Sequence, residues 1–241
     1  MWLDIERKDV GSLRQPTLIV AVSTSLPQYQ GLYSQARELG RYMLDKLAFE
    51  QVATFYSSSL GPEVAVNDDG LASLPSCQVH LLRGRKDILL FVGSGSPMDD
   101  QYQFARALLQ YAQDMGVEDL YSVGARWVDQ PIPPESEPVP RGFATDEAGV
   151  RNLRKNGVEV VTDEPAPFFA SMVVGLAREY GIRGYKLSVD HGEPSPHPRS
   201  VGKLLSVLSK MAGFEISTED LRPKAAHAPQ QKPPGDDTIY H

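Results

Sequence analysis

At 241 residues and 41% apolar content, the chain can bury a core of full domain size. A net charge of −7 with no basic run excludes a nucleic-acid partner, since phosphate binding needs clustered Lys and Arg. A single cysteine, Cys77, excludes an intramolecular disulfide and a four-cysteine zinc site.

Met1 to Arg14 is polar, with isolated apolar residues and no signal-peptide core, and no run approaches the roughly 18 apolar residues that span a bilayer. A cytoplasmic protein with no membrane partner is expected. Thr17 to Val22 is a continuous apolar, β-branched run, the pattern of a strand covered on both faces. Leu32, Ala36, Leu39, Met43 and Leu47 recur at spacings of three and four and predict a helix over Gly31 to Ala48. A strand follows at Val52 to Tyr56. Val64 to Val66 and Cys77 to Leu82 predict short strands on either side of the Asn67-Asp68-Asp69-Gly70 turn, a hairpin-like excursion.

Ile88 to Val92 is a buried strand that ends in Gly93-Ser94-Gly95-Ser96-Pro97. Phe104, Leu108, Leu109, Ala112 and Met115 mark a helix that Gly116 closes. Leu120 to Val123 is a strand, and Ala125 to Arg141, with five prolines, is expected to be a long loop. Thr145 to Lys155 predicts a helix with half a capping box, and Val158 to Val161 a strand. Phe168 to Tyr180 predicts a buried helix, Tyr185 to Val189 a core strand, and Arg199 to Ala212 the last helix. This alternation implies a three-layer α/β/α architecture with a mainly parallel central sheet.

Composition changes after Leu221. Arg222 to Thr238 contains four prolines and almost nothing to bury, so residues 1–221 are expected to form one α/β domain and 222–241 a disordered tail. The tail ends in Ile239, Tyr240 and His241, which offer an apolar side chain, an aromatic ring and a free carboxylate. Capture of a terminal carboxylate is a recurrent mode of peptide recognition.

No catalytic constellation stands out. Gly93-Ser94-Gly95 lies between a strand and a helix, where phosphate-cradling loops occur, but Met98 occupies the third glycine position of G-x-G-x-x-G. A tight turn accounts for it. There is no G-x-S-x-G nucleophile elbow. The stretch Asp190 to His197 matches no zinc spacing, so neither a metal nor another cofactor is expected. Gly93, Ser94, Arg126, Trp127 and Glu193 all follow or end predicted strands and are candidates to line a ligand cleft. Arg126 and Trp127 equally suit packing and ion pairing.

Four segments resemble the proteasome assembly chaperone family, specifically relatives of its second subunit. Gly31 to Val64 is similar to the family's first helix, strand and proline turn. Gly84-Arg85-Lys86-Asp87-Ile88-Leu89-Leu90-Phe91-Val92-Gly93, with Pro97, resembles its central strand and turn. Gly142-Phe143-Ala144-Thr145-Asp146 resembles a "GAATD" element, and Gly192-Glu193-Pro194 with the Leu204 to Leu208 helix resembles its ending. The likeness spans roughly residues 17 to 217. Two loops depart from it: Ser25 to Gly31 replaces a glycine- and aspartate-rich turn, and Arg126-Trp127 replaces glycines after Gly124.

The resemblance implies a phosphorylase/hydrolase-like fold without demonstrated catalysis, homo-oligomeric assembly, and docking of Ile239, Tyr240 and His241 into pockets of the proteasome 20S α-ring. A non-enzymatic proteasome-binding protein is therefore the leading expectation. The alternatives are a nucleoside-phosphorylase-type enzyme, suggested by fold alone, and a small-ligand-binding oligomeric scaffold.

Overall fold

A computed structural model describes residues 1–22, 35–62, 64–66, 68–93, 95–128, 133, 136–163, 166, 168–191 and 198–221. The described strands are β1 (Leu3–Arg7), β2 (Thr17–Ala21), β3 (Glu50–Ser57), β4 (Ala65–Val66), β5 (Ala72–Ser73), β6 (Ser76–Leu82), β7 (Ile88–Gly93), β8 (Asp119–Trp127), β9 (Pro140–Ala144), β10 (Glu159–Val160) and β11 (Arg183–His191). The helices are α1 (Gln35–Lys46), α2 (Gln101–Asp114), α3 (Glu147–Lys155), α4 (Phe169–Ala177) and α5 (Pro198–Ala212).

Nine strands form one sheet in the order β1-β3-β6-β7-β2-β8-β11-β9-β10, and β4 and β5 pair separately as a small ribbon. The pairings β7·β2, β2·β8 and β8·β11 at the centre are parallel, as is β9·β10 at one edge. The flank β1·β3·β6·β7 and the pair β11·β9 are antiparallel. The α/β expectation therefore holds, with its parallel character concentrated where the crossover helices connect strands.

Both faces of the central strands are covered, which explains their unbroken apolar runs. Leu18 and Val20 of β2 face α2 and α4, while Ile19 and Ala21 face α1 and α5. In β7, Leu89 and Phe91 share the first face, Ile88 and Leu90 the second. The first core is aromatic: Phe55 meets Phe91 and Tyr111 edge-on at 5.5 Å, and Phe104 meets Phe169 at 5.7 Å. Each such ring, fully buried, contributes roughly 1.5–3 kcal/mol. The second core stacks Tyr121 on Tyr185, with centroids 4.7 Å apart and planes 7° from parallel.

Gly116 closes α2 as its position in the sequence suggests. Its φ of +75° allows Val117 N to donate to Ala112 O at 3.0 Å. The cap of α3 is Asp146, which accepts from the Gly149 amide at 2.6 Å. Thr145, one residue earlier, instead accepts from the Gly184 amide of β11 at 3.0 Å.

The expected loop over Ala125 to Arg141 needs correction at both ends. β8 continues to Trp127, because β11 pairs with it along all nine residues. β9 begins at Pro140 and is held by β11 on one side and β10 on the other. The polar lead-in also contains β1, an edge strand whose Leu3 and Ile5 pack against the first core. Among the described residues, no helix is long and apolar enough to cross a membrane.

Candidate functional site

Strands β7, β2, β8 and β11 run the same way, so their carboxyl ends share one edge of the sheet. In open α/β sheets this edge is where ligands collect. Gly93 ends β7, Arg126 and Trp127 end β8, and β11 leads directly into the segment containing Glu193.

Arg126 lies opposite Asp190 in the β8·β11 register, and its Nη1 donates to Asp190 Oδ1 at 3.0 Å. The other carboxylate oxygen, Oδ2, accepts from Arg141 Nε of β9 at 2.9 Å. Arg141 also pairs with Glu159 of β10. Four strands thus supply one alternating chain of charges, Arg126–Asp190–Arg141–Glu159. Arg126 and Arg141 are 30% exposed, so solvent screens these pairs, and their main effect is to fix where the guanidinium groups point. Because side chains alternate along a strand, Arg126, Asp190 and Arg141 all stand on the face that α4 covers.

Gly93 has a packing reason to be glycine. A Cβ there would fall 2.4 Å from Cys77 Sγ, across the β6·β7 pair. Cys77 itself is buried, and its thiol is pushed up to about 12 by burial. β2 separates Gly93 from the strand that carries Arg126. The backbone of Trp127 pairs with His191. Ser94, Glu193, Ile239, Tyr240 and His241 lie outside the described residues. The structure thus groups Arg126 and Trp127 at one strand end, with Gly93 two strands away.

One residue on this face has no counterpart among the sequence candidates. Lys186, in the middle of β11, is 8% exposed, and its amine is pushed down to about 8 by burial. Tyr185 to Val189 is the core strand that the sequence predicts, but the alternation Tyr185-Lys186-Leu187-Ser188-Val189 does not by itself show that α4 buries its polar face.

The opposite edge carries a second polar group. Arg183 bridges Asp119 at 3.2 Å and Asp146 at 3.3 Å. Burial raises the Asp119 carboxyl against the pull of Arg183, while the Gly149 amide chiefly holds Asp146 low. Arg183 and Asp146 border a cleft of about 1240 Å³, together with Val117, Arg151, Arg154 and Arg178. Among the described residues, no three carboxylate, histidine or cysteine side chains come together as metal ligands.

Among the described residues, a mixed sheet with two helices on one face and three on the other, and a polar carboxyl edge, defines a three-layer α/β/α protein. Residues 36–232 match the PAC2 family, and the chain belongs to it. Its fold is similar to that of Pyrococcus furiosus PbaB, an archaeal proteasome activator, with TM-score 0.77, 16% identity and coverage of 91% of this chain and 92% of that one. It is also similar to Pyrococcus furiosus PbaA, an archaeal homologue of proteasome-assembly chaperone (TM-score 0.70, 15% identity, 91% and 89% coverage). A proteasome-assembly chaperone homologue of Mycobacterium tuberculosis gives TM-score 0.68 at 16% identity, covering 86% and 89%. None of the curated protein sequences compared with the chain matches it.

Proposed function

We propose that this protein is a non-enzymatic partner of the proteasome, an assembly chaperone or regulator of the 20S core. The observation that carries the reading is membership of the PAC2 family over residues 36–232. The likeness in fold to a proteasome activator and to assembly-chaperone homologues supports it.

In this reading residues 1–221 are the folded body and 222–241 a tether that presents Ile239, Tyr240 and His241 to pockets of the α-ring. As a flexible coil, residues 222–238 would span about 23 Å; as polyproline helix, ~53 Å. Either reach allows the final residues to dock while the body stays off the partner's surface. A cytoplasmic homo-oligomer would engage several pockets at once, and avidity would make weak single contacts sufficient. Gly93, Ser94, Arg126, Trp127 and Glu193 would line a ligand cleft that this tethering does not require.

Capture of purified 20S particles by the full chain tests the reading. Binding that falls to background on deletion of residues 239–241, and on Tyr240→Ala, is expected. Equal capture by the shortened chain would remove the tail's role. No capture by either would remove the proteasome as partner.

A further inference from the structure

Lys186 is buried with neither an ion pair nor a hydrogen bond to any described residue. Buried lysines ordinarily find a carboxylate or lose their proton. The carboxylate on the same face of β11, Asp190, is already shared by Arg126 and Arg141. Lys186 sits in register between Ser122 of β8 and Phe143 of β9. Ser122 is fully buried, and its hydroxyl also lacks a partner. The amine rests over Gly124, where an added Cβ would lie 3.0 Å from Nζ. A bare backbone position is thus kept beside a charged group.

The helix above brings a second positive element to this point. α4 turns back through Arg178–Tyr180 into β11, so helix and strand are antiparallel. Val174 O lies 2.8 Å from where a Cβ on Gly184 would stand, which fixes that helix residue over that strand residue. Two residues further along β11 is about 6.6 Å. Backwards along a helix at 1.5 Å per residue, that is about four residues. Lys186 therefore emerges under the first turn of α4, with its amine extending beyond it. The cap residue Phe168 has φ +77° and supplies no side-chain acceptor to the first-turn amides. A helix amino end carries roughly half a positive charge. Among the described residues the Lys186 amine has no partner, and the cap residue gives the Phe169 and Ala170 amides no side-chain acceptor, so a ligand placed between them would satisfy both.

We propose that Lys186, with the uncapped first turn of α4, forms a binding site for a small oxyanion, a carboxylate or a phosphate. Lys186 supplies the charge, the α4 amides supply directional donors, and Gly124 supplies the space. With the amine near 8, most molecules hold the protonated form at neutral pH, which is the form that an anion needs. The proposal does not rest on the tail's role.

The experiment is thermal unfolding of the full chain at constant ionic strength in chloride, titrated with inorganic phosphate or with acetate. The wild type is expected to gain Tm in at least one of the two, and which one identifies the oxyanion. Lys186→Met is expected to lose that gain, while Lys186→Arg retains it. Should Lys186→Met not fold, the Nζ resonance of Lys186 in 15N-lysine-labelled wild type decides, and is expected to shift on addition of the same anion. A Lys186→Met response equal to wild type, no wild-type response to either anion, or an unmoved Nζ resonance would each overturn the proposal.

Discussion

Arg14 and Asp87 hold each other twice: the Arg14 amide donates to Asp87 Oδ2 at 2.9 Å, and the Asp87 amide donates to Arg14 O at 2.9 Å. The Asp87 carboxylate also accepts from the Gly84 amide and from Arg83 Nη1, each at 3.1 Å. This knot precedes both β2 and β7 and sets Thr17 opposite Ile88. Burial alone would raise the Asp87 carboxyl, but the two amides and Arg83 outweigh it and hold it below the ordinary carboxylate value.

The sign of the pH dependence follows. A carboxyl lowered by folding contributes stability above its unfolded value near 4, and that stability disappears as pH falls through the folded value. Asp87→Ala is expected to cost about 2–3 kcal/mol at pH 7, because two amides lose a charged acceptor. Urea unfolding should show the gap between wild type and variant shrinking as pH falls below about 4.

Gly142 of β9 leaves no room for a side chain. A Cβ there would lie 2.2 Å from Lys186 O and 3.3 Å from Val158 Cγ1. Backbone cannot yield as a side-chain tip can, so Gly142→Ala should force β9 away from β11. A loss of about 3 kcal/mol is expected, in the range of overpacked sites, read as a lowered midpoint in chemical unfolding.

Tyr121 stacks on Tyr185 and donates its hydroxyl to Met211 O at 3.2 Å, near the end of α5. Tyr121→Phe keeps the stack and deletes the hydrogen bond, so a loss of about 1 kcal/mol is expected. Tyr121→Ala removes both and should cost about 3–5 kcal/mol. Unfolding monitored by near-ultraviolet circular dichroism measures both.

Cys77 is buried against β7, and its thiol lies 3.7 Å from Gly95 O. With the thiol pushed up to about 12, almost no thiolate exists at pH 8. A colorimetric disulfide reagent should leave the native chain unmodified and react with one thiol per chain in denaturant. Rapid reaction without denaturant would show that β6 and β7 open readily.

The elements most legible in sequence are those whose burial matches their composition. Leu18 to Ala21 of β2 and Ile88 to Val92 of β7 are unbroken apolar runs because both their faces are covered, and α2 and α5 keep an apolar stripe because each lies on one face of the sheet. β1 was hidden by Asp4, Glu6 and Arg7, charges that an edge strand tolerates. β9 was hidden by Pro140 and Gly142, residues that signal a turn. There, glycine serves the close approach to the Lys186 carbonyl.

Of the candidate site, Arg126 was legible because it follows a strand, but its tie to Asp190 and Arg141 depends on strand order, which spacing does not encode. Lys186 was not legible. A core strand is expected there, but nothing in its spacing shows that α4 covers the face carrying Lys186.

The two outer strands of the sheet restrict how copies of this chain can meet. At one side β1 is short, and Asp4 and Glu6 are exposed along it. At the other, β10 offers only two residues. Neither is a good template for adding a strand from another molecule, and like charges on facing β1 strands would repel. Growth of the sheet from copy to copy is therefore disfavoured at both ends. Assembly of this protein is expected to use its helices and loops, and not extension of the sheet.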